Sequence, residues 1–99
     1  MYKVEFTKQA EKDAVKIERV GLKDKAVEVI RTVRKNPFEF SQGFEKLQGN
    51  LKDMYSRRIN RHHRFVYSVF PNTENLKDVN GELYEGIVHV NRMWTHYEP

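Results

Sequence analysis

Apolar and polar residues alternate from the first positions of the chain. Tyr2, Val4 and Phe6 fall on one side, Lys3 and Glu5 on the other. That period of two predicts a short half-buried strand over 2–6. The spacing then turns helical, with Ala10, Ala14 and Ile17 on one stripe and lysines opposite. Thr7 stands as an N-cap, Glu11 suits the first turn, and Gly21 fits a C′ position. Leu22, Ala26, Val29, Ile30 and Val33 form a second stripe, which predicts a helix over about 22–35. Arg34 and Lys35 complement its C-terminal dipole and Asn36-Pro37 stops it. The short connection makes the pair an αα-hairpin.

Pro37, Gly43 and Gly49 punctuate residues 36–53, which read as a loop with an extended piece around Glu45 to Gln48. Strands are expected at about 54–60 and 63–70, joined as a hairpin through Asn60 to His62. Residues 71–83 read as a long turn-rich connection and 84–94 as the last strand. A strand, two helices and then a run of strands predict an α+β fold: a twisted antiparallel sheet with the helices on one face. Along 63–70, Arg64, Val66 and Ser68 share one face, and His63, Phe65, Tyr67 and Val69 the other. Along 54–60, Met54, Ser56 and Arg58 point one way, and Tyr55, Arg57 and Ile59 the opposite way.

Composition narrows the class. A length of 99 residues predicts one domain over 1–99. A hydrophobic content of 38% with 12% aromatics supplies a core and argues against disorder. The chain has no cysteine, which excludes disulfides and thiolate metal sites and suits a reducing cytoplasm. Residues 1–6 hold no apolar run of signal-peptide length, and no stretch approaches the roughly 20 apolar residues of a membrane span. A cytoplasmic protein with no membrane association is the expectation.

Charge is unevenly spread. Residues 51–64 carry Lys52, Arg57, Arg58, Arg61 and Arg64 against Asp53, a surplus equal to the net +4 of the whole chain. Residues 65–99 are net acidic. A local basic cluster beside apolar strand residues favours a polyanionic partner, and arginine suits bidentate phosphate recognition. A solvated basic face accounts for charge alone equally well. His62 and His63 are adjacent, so a strand sends them to opposite faces and they do not make a metal pair. His89, alternating with Ile87 and Asn91, reads as structural.

Several motifs together carry a resemblance. Glu45-x-Leu47, then Tyr55-Ser56-Arg57-Arg58-Ile59, then His63-Arg64-Phe65-Val66-Tyr67, and Trp94-Thr95-His96-Tyr97 resemble the YoeB/Txe branch of the RelE toxin superfamily. Asn36-Pro37-Phe38 matches the segment after the helical hairpin of that branch. The resemblance implies the toxin of a type II toxin–antitoxin pair, an mRNA endoribonuclease that docks in the ribosomal A site. It places a general base on Glu45, the phosphate-contacting arginine on Arg64, a general acid on His96 and a terminal aromatic on Tyr97. Arg58 and His63 lie within the matching motif as secondary contributors. Arg57, Arg58 and Arg61 read as an RNA-facing patch. It implies no cofactor and no metal. The partners implied are a YefM/Axe-like antitoxin with an acidic segment, the ribosome with its mRNA, and operator DNA indirectly through the antitoxin; a second copy of the chain is compatible with the branch. Gln48 stands where a lysine is common, and 71–86 is longer than in short members. Trp94-Thr95 follows the Txe-like version.

The chemistry of these residue types agrees. A ribose 2′-OH is a poor nucleophile and needs a base, for which a carboxylate serves. The departing 5′-oxygen needs a proton, and histidine titrates near neutrality. An arginine supplies fixed donors to the phosphorane. The alternative reading is a non-catalytic RNA- or antitoxin-binding module acting in operon autoregulation.

Overall fold

The computed structural model describes residues 1–51 and 53–94. Its elements run β1 (Lys3–Phe6), α1 (Lys8–Arg19), α2 (Lys23–Lys35), β2 (Glu45–Lys46), β3 (Met54–Arg58), β4 (Arg64–Pro71) and β5 (Gly86–Arg92), with a 3₁₀ turn over Gly49–Leu51 between β2 and β3. The five strands form one sheet in the order β1-β5-β4-β3-β2. The expected α+β architecture is present. One pairing differs from an antiparallel sheet: β1 lies parallel to β5, Val4 opposite Val88. Alternation reveals which side chains share a face but is blind to strand direction, so this pairing left no mark in the pattern. The extended piece at Glu45 is a paired edge strand, with Glu45 opposite Ser56.

Thr7 caps α1 as expected. Its Oγ1 accepts from the Ala10 amide at 3.0 Å and donates to the Asn91 carbonyl at 2.9 Å. The one hydroxyl thus ties the helix start to the far end of β5. Gly21 sits at φ +77°, a left-handed conformation that costs glycine little. There its amide donates to Glu18 O, and Leu22 N donates to Ile17 O, which closes α1 in a Schellman motif. Leu22 is therefore the N-cap of α2, not its first residue.

Both helices bury their predicted stripes, Ala10 and Ile17 from α1 and Ala26, Val29 and Val33 from α2. They pack with Phe65 and Tyr67 of β4 and Val88 and Val90 of β5. Cross-strand register puts Arg57 opposite Phe65 and Ser56 opposite Val66. The sheet therefore has a core face bearing Tyr55, Arg57, Phe65 and Tyr67, and a second face bearing Ser56, Arg58, Arg64, Val66 and Ser68. The register of β4 against β5 jumps between Val66 and Tyr67, leaving Asn91 as an extra residue. Asn91 Nδ2 donates to Ser68 Oγ at 3.2 Å. Among the described residues no helix is long and apolar enough to cross a membrane.

Because Thr7 serves two elements, Thr7→Ala is expected to lower unfolding free energy by about 1–2 kcal/mol. Thr7→Ser, which keeps the hydroxyl, should recover most of that loss. Urea unfolding curves of the three proteins measure it, and an alanine variant as stable as the parent would remove the capping role.

Candidate active site

The site grows from the alternation of β3. Two consecutive arginines on a strand must point to opposite faces. Arg58 goes outward. Arg57 goes inward and is fully buried. Its donors are spent inside the protein: Nε donates to the Tyr67 hydroxyl at 3.0 Å, Nη1 to Ser41 O at 3.1 Å, and Nη2 to Pro37 O and Glu39 O at 3.1 and 2.7 Å. The guanidinium carbon lies 4.8 Å from the centre of the Phe44 ring. Arg57 is therefore not part of an RNA-facing patch. Its position beside Tyr55 and Ile59 in the alternation already marked it as inward-facing, and its dense positive neighbourhood in sequence pointed the other way.

What Arg57 does is fasten the connection after α2. Residues 37–44 carry no regular structure, so their carbonyls need partners. Arg57 supplies them at Pro37, Glu39 and Ser41, and the Tyr67 hydroxyl donates to Pro37 O at 2.6 Å. Phe44 stacks on Tyr55, with ring centres 5.7 Å apart and planes 15° apart. Next in the chain is Glu45. The fastening thus decides where that carboxylate emerges.

Glu45 emerges onto the second face. Its Oε2 lies 3.5 Å from Arg64 Nη1, and that nitrogen also reaches Ser56 Oγ at 3.5 Å. Three strands meet there: Glu45 from β2, Ser56 from β3 and Arg64 from β4. Arg64 is mostly covered, its side chain 19% exposed, while Glu45 is 56% exposed. A half-sheltered guanidinium beside an open carboxylate can offer fixed donors to one ligand atom and an acceptor to another. Ser56, fully buried beside Arg64, was given no role from sequence, although it lies within the Tyr55–Ile59 motif and shares a face with Arg58.

Arg58 flanks this pair, opposite Arg64 in the register. A side chain at position 43 would collide with it, since a Cβ there would meet Arg58 Cγ at 2.9 Å, and Gly43 also has φ +65°. Gly43 lets the arginine stem lie flat on the loop backbone. Arg61 and His62 are exposed on the hairpin 59–63, whose turn is held by Asn60 Oδ1 accepting from the His62 and His63 amides. His63 is buried and stacks on Trp94, ring centres 4.1 Å apart. His62 and His63 thus diverge. His89 lies away from Glu45, its ring 6.2 Å from that of Phe70. His96 and Tyr97, assigned as general acid and terminal aromatic, lie outside the described residues.

A model of the YoeB-like toxin of bacterial type II toxin–antitoxin systems matches residues 6–81. The chain belongs to this family. The matched segment contains Glu45, Arg57, Arg58, Arg61, His63 and Arg64 and stops short of His96 and Tyr97. Toxin YoeB of Escherichia coli O6:H1 is 45% identical over 42 residues, 42% of this chain and 50% of that relative. The chain spans about half the length of the curated relatives it matches. Among solved structures, a YoeB/ParE toxin from Agrobacterium tumefaciens superposes with a TM-score of 0.77 at 26% identity, covering 96% of this chain and 99% of that one. A chain of the YoeB–YefM complex from Staphylococcus aureus gives 0.69 at 27% identity, covering 98% and 99%.

Two predictions separate fastening from ligand contact. Arg57→Ala leaves several buried carbonyls unpaired and a cavity, so it should cost at least about 3 kcal/mol of unfolding free energy. An RNA-contact arginine on the surface would move the urea midpoint little, and that outcome would return Arg57 to the basic patch. Tyr67 gives a pH test. Burial pushes its phenol up to about 12, against the opposing pull of Arg57. The folded state therefore holds a proton that the unfolded chain releases near pH 10, so stability is full below pH 10 and falls as pH rises toward about 12. Chemical unfolding between pH 9 and 11.5 should show a decline that Tyr67→Phe lessens; equal slopes in both proteins would rule it out.

Proposed function

We propose that this toxin is a ribosome-dependent mRNA endoribonuclease, cutting codons in the A site by general acid–base chemistry without a metal. The observation that carries the reading is the Glu45–Arg64 pair, 3.5 Å apart on the face of the sheet that the helices leave uncovered. A phosphodiester entering there competes with the Glu45 carboxylate for the Arg64 guanidinium. Exchange of partners frees Glu45 to take the proton of the ribose 2′-OH, whose oxygen attacks the adjacent phosphorus. Arg64 then faces the charge that grows on the phosphorane oxygens. His96 protonates the departing 5′-oxygen, leaving a 2′,3′-cyclic phosphate and a free 5′-OH. Tyr97 stacks on an unpaired base. Arg58 and Arg61 hold the backbone on either side.

Acid–base steps contribute about 10²–10⁴-fold, so alignment of the 2′-OH with the scissile bond must supply much of the remainder. The ribosome provides that alignment by holding the codon, which makes free RNA a poor substrate. The partner in the absence of stress is an antitoxin of YefM/Axe type, drawn by an acidic segment to the basic edge around Arg58, Arg61 and Arg64. That assembly reaches operator DNA through the antitoxin.

Mapping of new mRNA 5′ ends in a translating extract tests the reading. Wild type should cut within codons, and Glu45→Ala, Arg64→Ala and His96→Ala should each slow cleavage by about 10²-fold or more. Three variants that all cut like wild type would end the catalytic assignment. A wild type that neither cuts nor arrests growth would leave a binding module in its place.

A further inference from the structure

The sheet face that carries Glu45 and Arg64 is not the one the helices cover, yet a strand residue in its middle is sealed from solvent. Ser56 has no exposed surface. In the register it lies between Glu45 of β2 and Val66 of β4. Arg64 reaches across from β4, its Nη1 3.5 Å from the Ser56 hydroxyl oxygen. A buried hydroxyl costs free energy unless it finds a hydrogen-bond partner, and this one accepts from a guanidinium. Threonine or valine suits a strand better than serine. Serine supplies the oxygen with the least bulk beneath the arginine. A second buried serine on the same face, Ser68, accepts from Asn91 Nδ2 at 3.2 Å and so seats a different side chain.

Glu45 and Ser56 both meet Arg64 Nη1, and they differ in how firmly they are held. Glu45 is more than half exposed on an edge strand of two residues. Ser56 is paired with a strand on each side, and its oxygen stands one torsion away from the backbone. A phosphodiester that takes the place of the Glu45 carboxylate removes the first partner and leaves the second. A long arginine side chain has many rotamers, and ordering it costs entropy that a fixed acceptor offsets. The geometry points to Ser56 as a positioning residue: its hydroxyl keeps the Arg64 guanidinium aimed into the site while Glu45 lets go of it. This inference rests on the phosphate-contact role proposed for Arg64. Ser56 has no surface to offer a substrate and acts through the arginine it seats.

The test uses Ser56→Ala, Ser56→Cys and, as a control, Ser68→Ala in the full chain. Alanine removes the oxygen; cysteine fills the space with a sulfur that accepts hydrogen bonds weakly. Single-turnover cleavage at saturating ribosome-bound mRNA should fall about tenfold in both Ser56 variants, the worth of one hydrogen bond to a charged group. The half-saturating ribosome concentration should stay the same, as for an interaction that matters in the transition state. Ser68→Ala should cut at the wild-type rate. In an Arg64→Ala background, Ser56→Ala should add no further loss, because the two act as one unit. The order parameter of Arg64 Nε, read by nitrogen relaxation, should fall in both Ser56 variants and hold in Ser68→Ala. A cysteine variant as fast as wild type would show that Ser56 only fills space, and equal losses in both backgrounds would show that it acts apart from Arg64; either result overturns the proposal. If alanine does not fold, the cysteine variant carries both comparisons. A wild type that does not cleave would sink the catalytic reading instead. The relaxation measurement then decides this proposal alone, and an Arg64 side chain as ordered in the Ser56 variants as in wild type would refute it.

Discussion

A buried guanidinium organises this molecule. Arg57 has no carboxylate within its described contacts; its donors go to main-chain carbonyls, a tyrosine hydroxyl and a serine. Hydrogen bonds to charged groups are stronger than neutral ones, and a planar fork reaches several acceptors at once. A loop of eight residues without regular structure thereby becomes a rigid lead-in to β2. The placement of Glu45, and with it the pairing to Arg64, follows from that fastening. Lysine would bring the same charge without the fork, and could not hold three carbonyls from one position.

The sheet separates two demands on one stretch of sequence. Its core face takes apolar side chains and the inward arginine; its other face carries the Glu45–Arg64 pair. Strand alternation lets adjacent residues serve both, so Ser56 and Arg57, or Arg64 and Phe65, are neighbours in the chain with different neighbours in space. Mutations meant to probe the basic block must be chosen by face. Arg57 and Arg58 differ by one position, and their loss has different consequences.

Much of the architecture was legible in the pattern. The two helical stripes, the Thr7 cap, the Gly21 stop and the sidedness of β3 and β4 all follow from local rules, and the structure has them. What escaped is long-range. The parallel pairing of β1 with β5 depends on residues more than eighty positions apart, and period-two alternation looks the same in either direction. Asp13 drew no reading from the sequence, because its long-range partners are main-chain amides that no side-chain pattern announces. Arg57 was misplaced for the opposite reason: local composition shouted while the alternation, which had it right, was outweighed. The Glu45–Arg64 pairing needed a register that turn residues alone do not define, since the hairpin occupies 59–63 and β2 is only two residues long.

The topology also has a consequence in time. β1 has no strand beside it until β5 arrives, and Thr7, Asp13 and Val4 each find a partner in the last tenth of the described chain. Contacts of such sequence separation form late, after the cost of closing a long loop has been met. A nascent copy still attached to the ribosome that makes it therefore lacks its closed sheet until its final strand has emerged. Completion of the sheet is thus written into chain order: the first strand waits for the last.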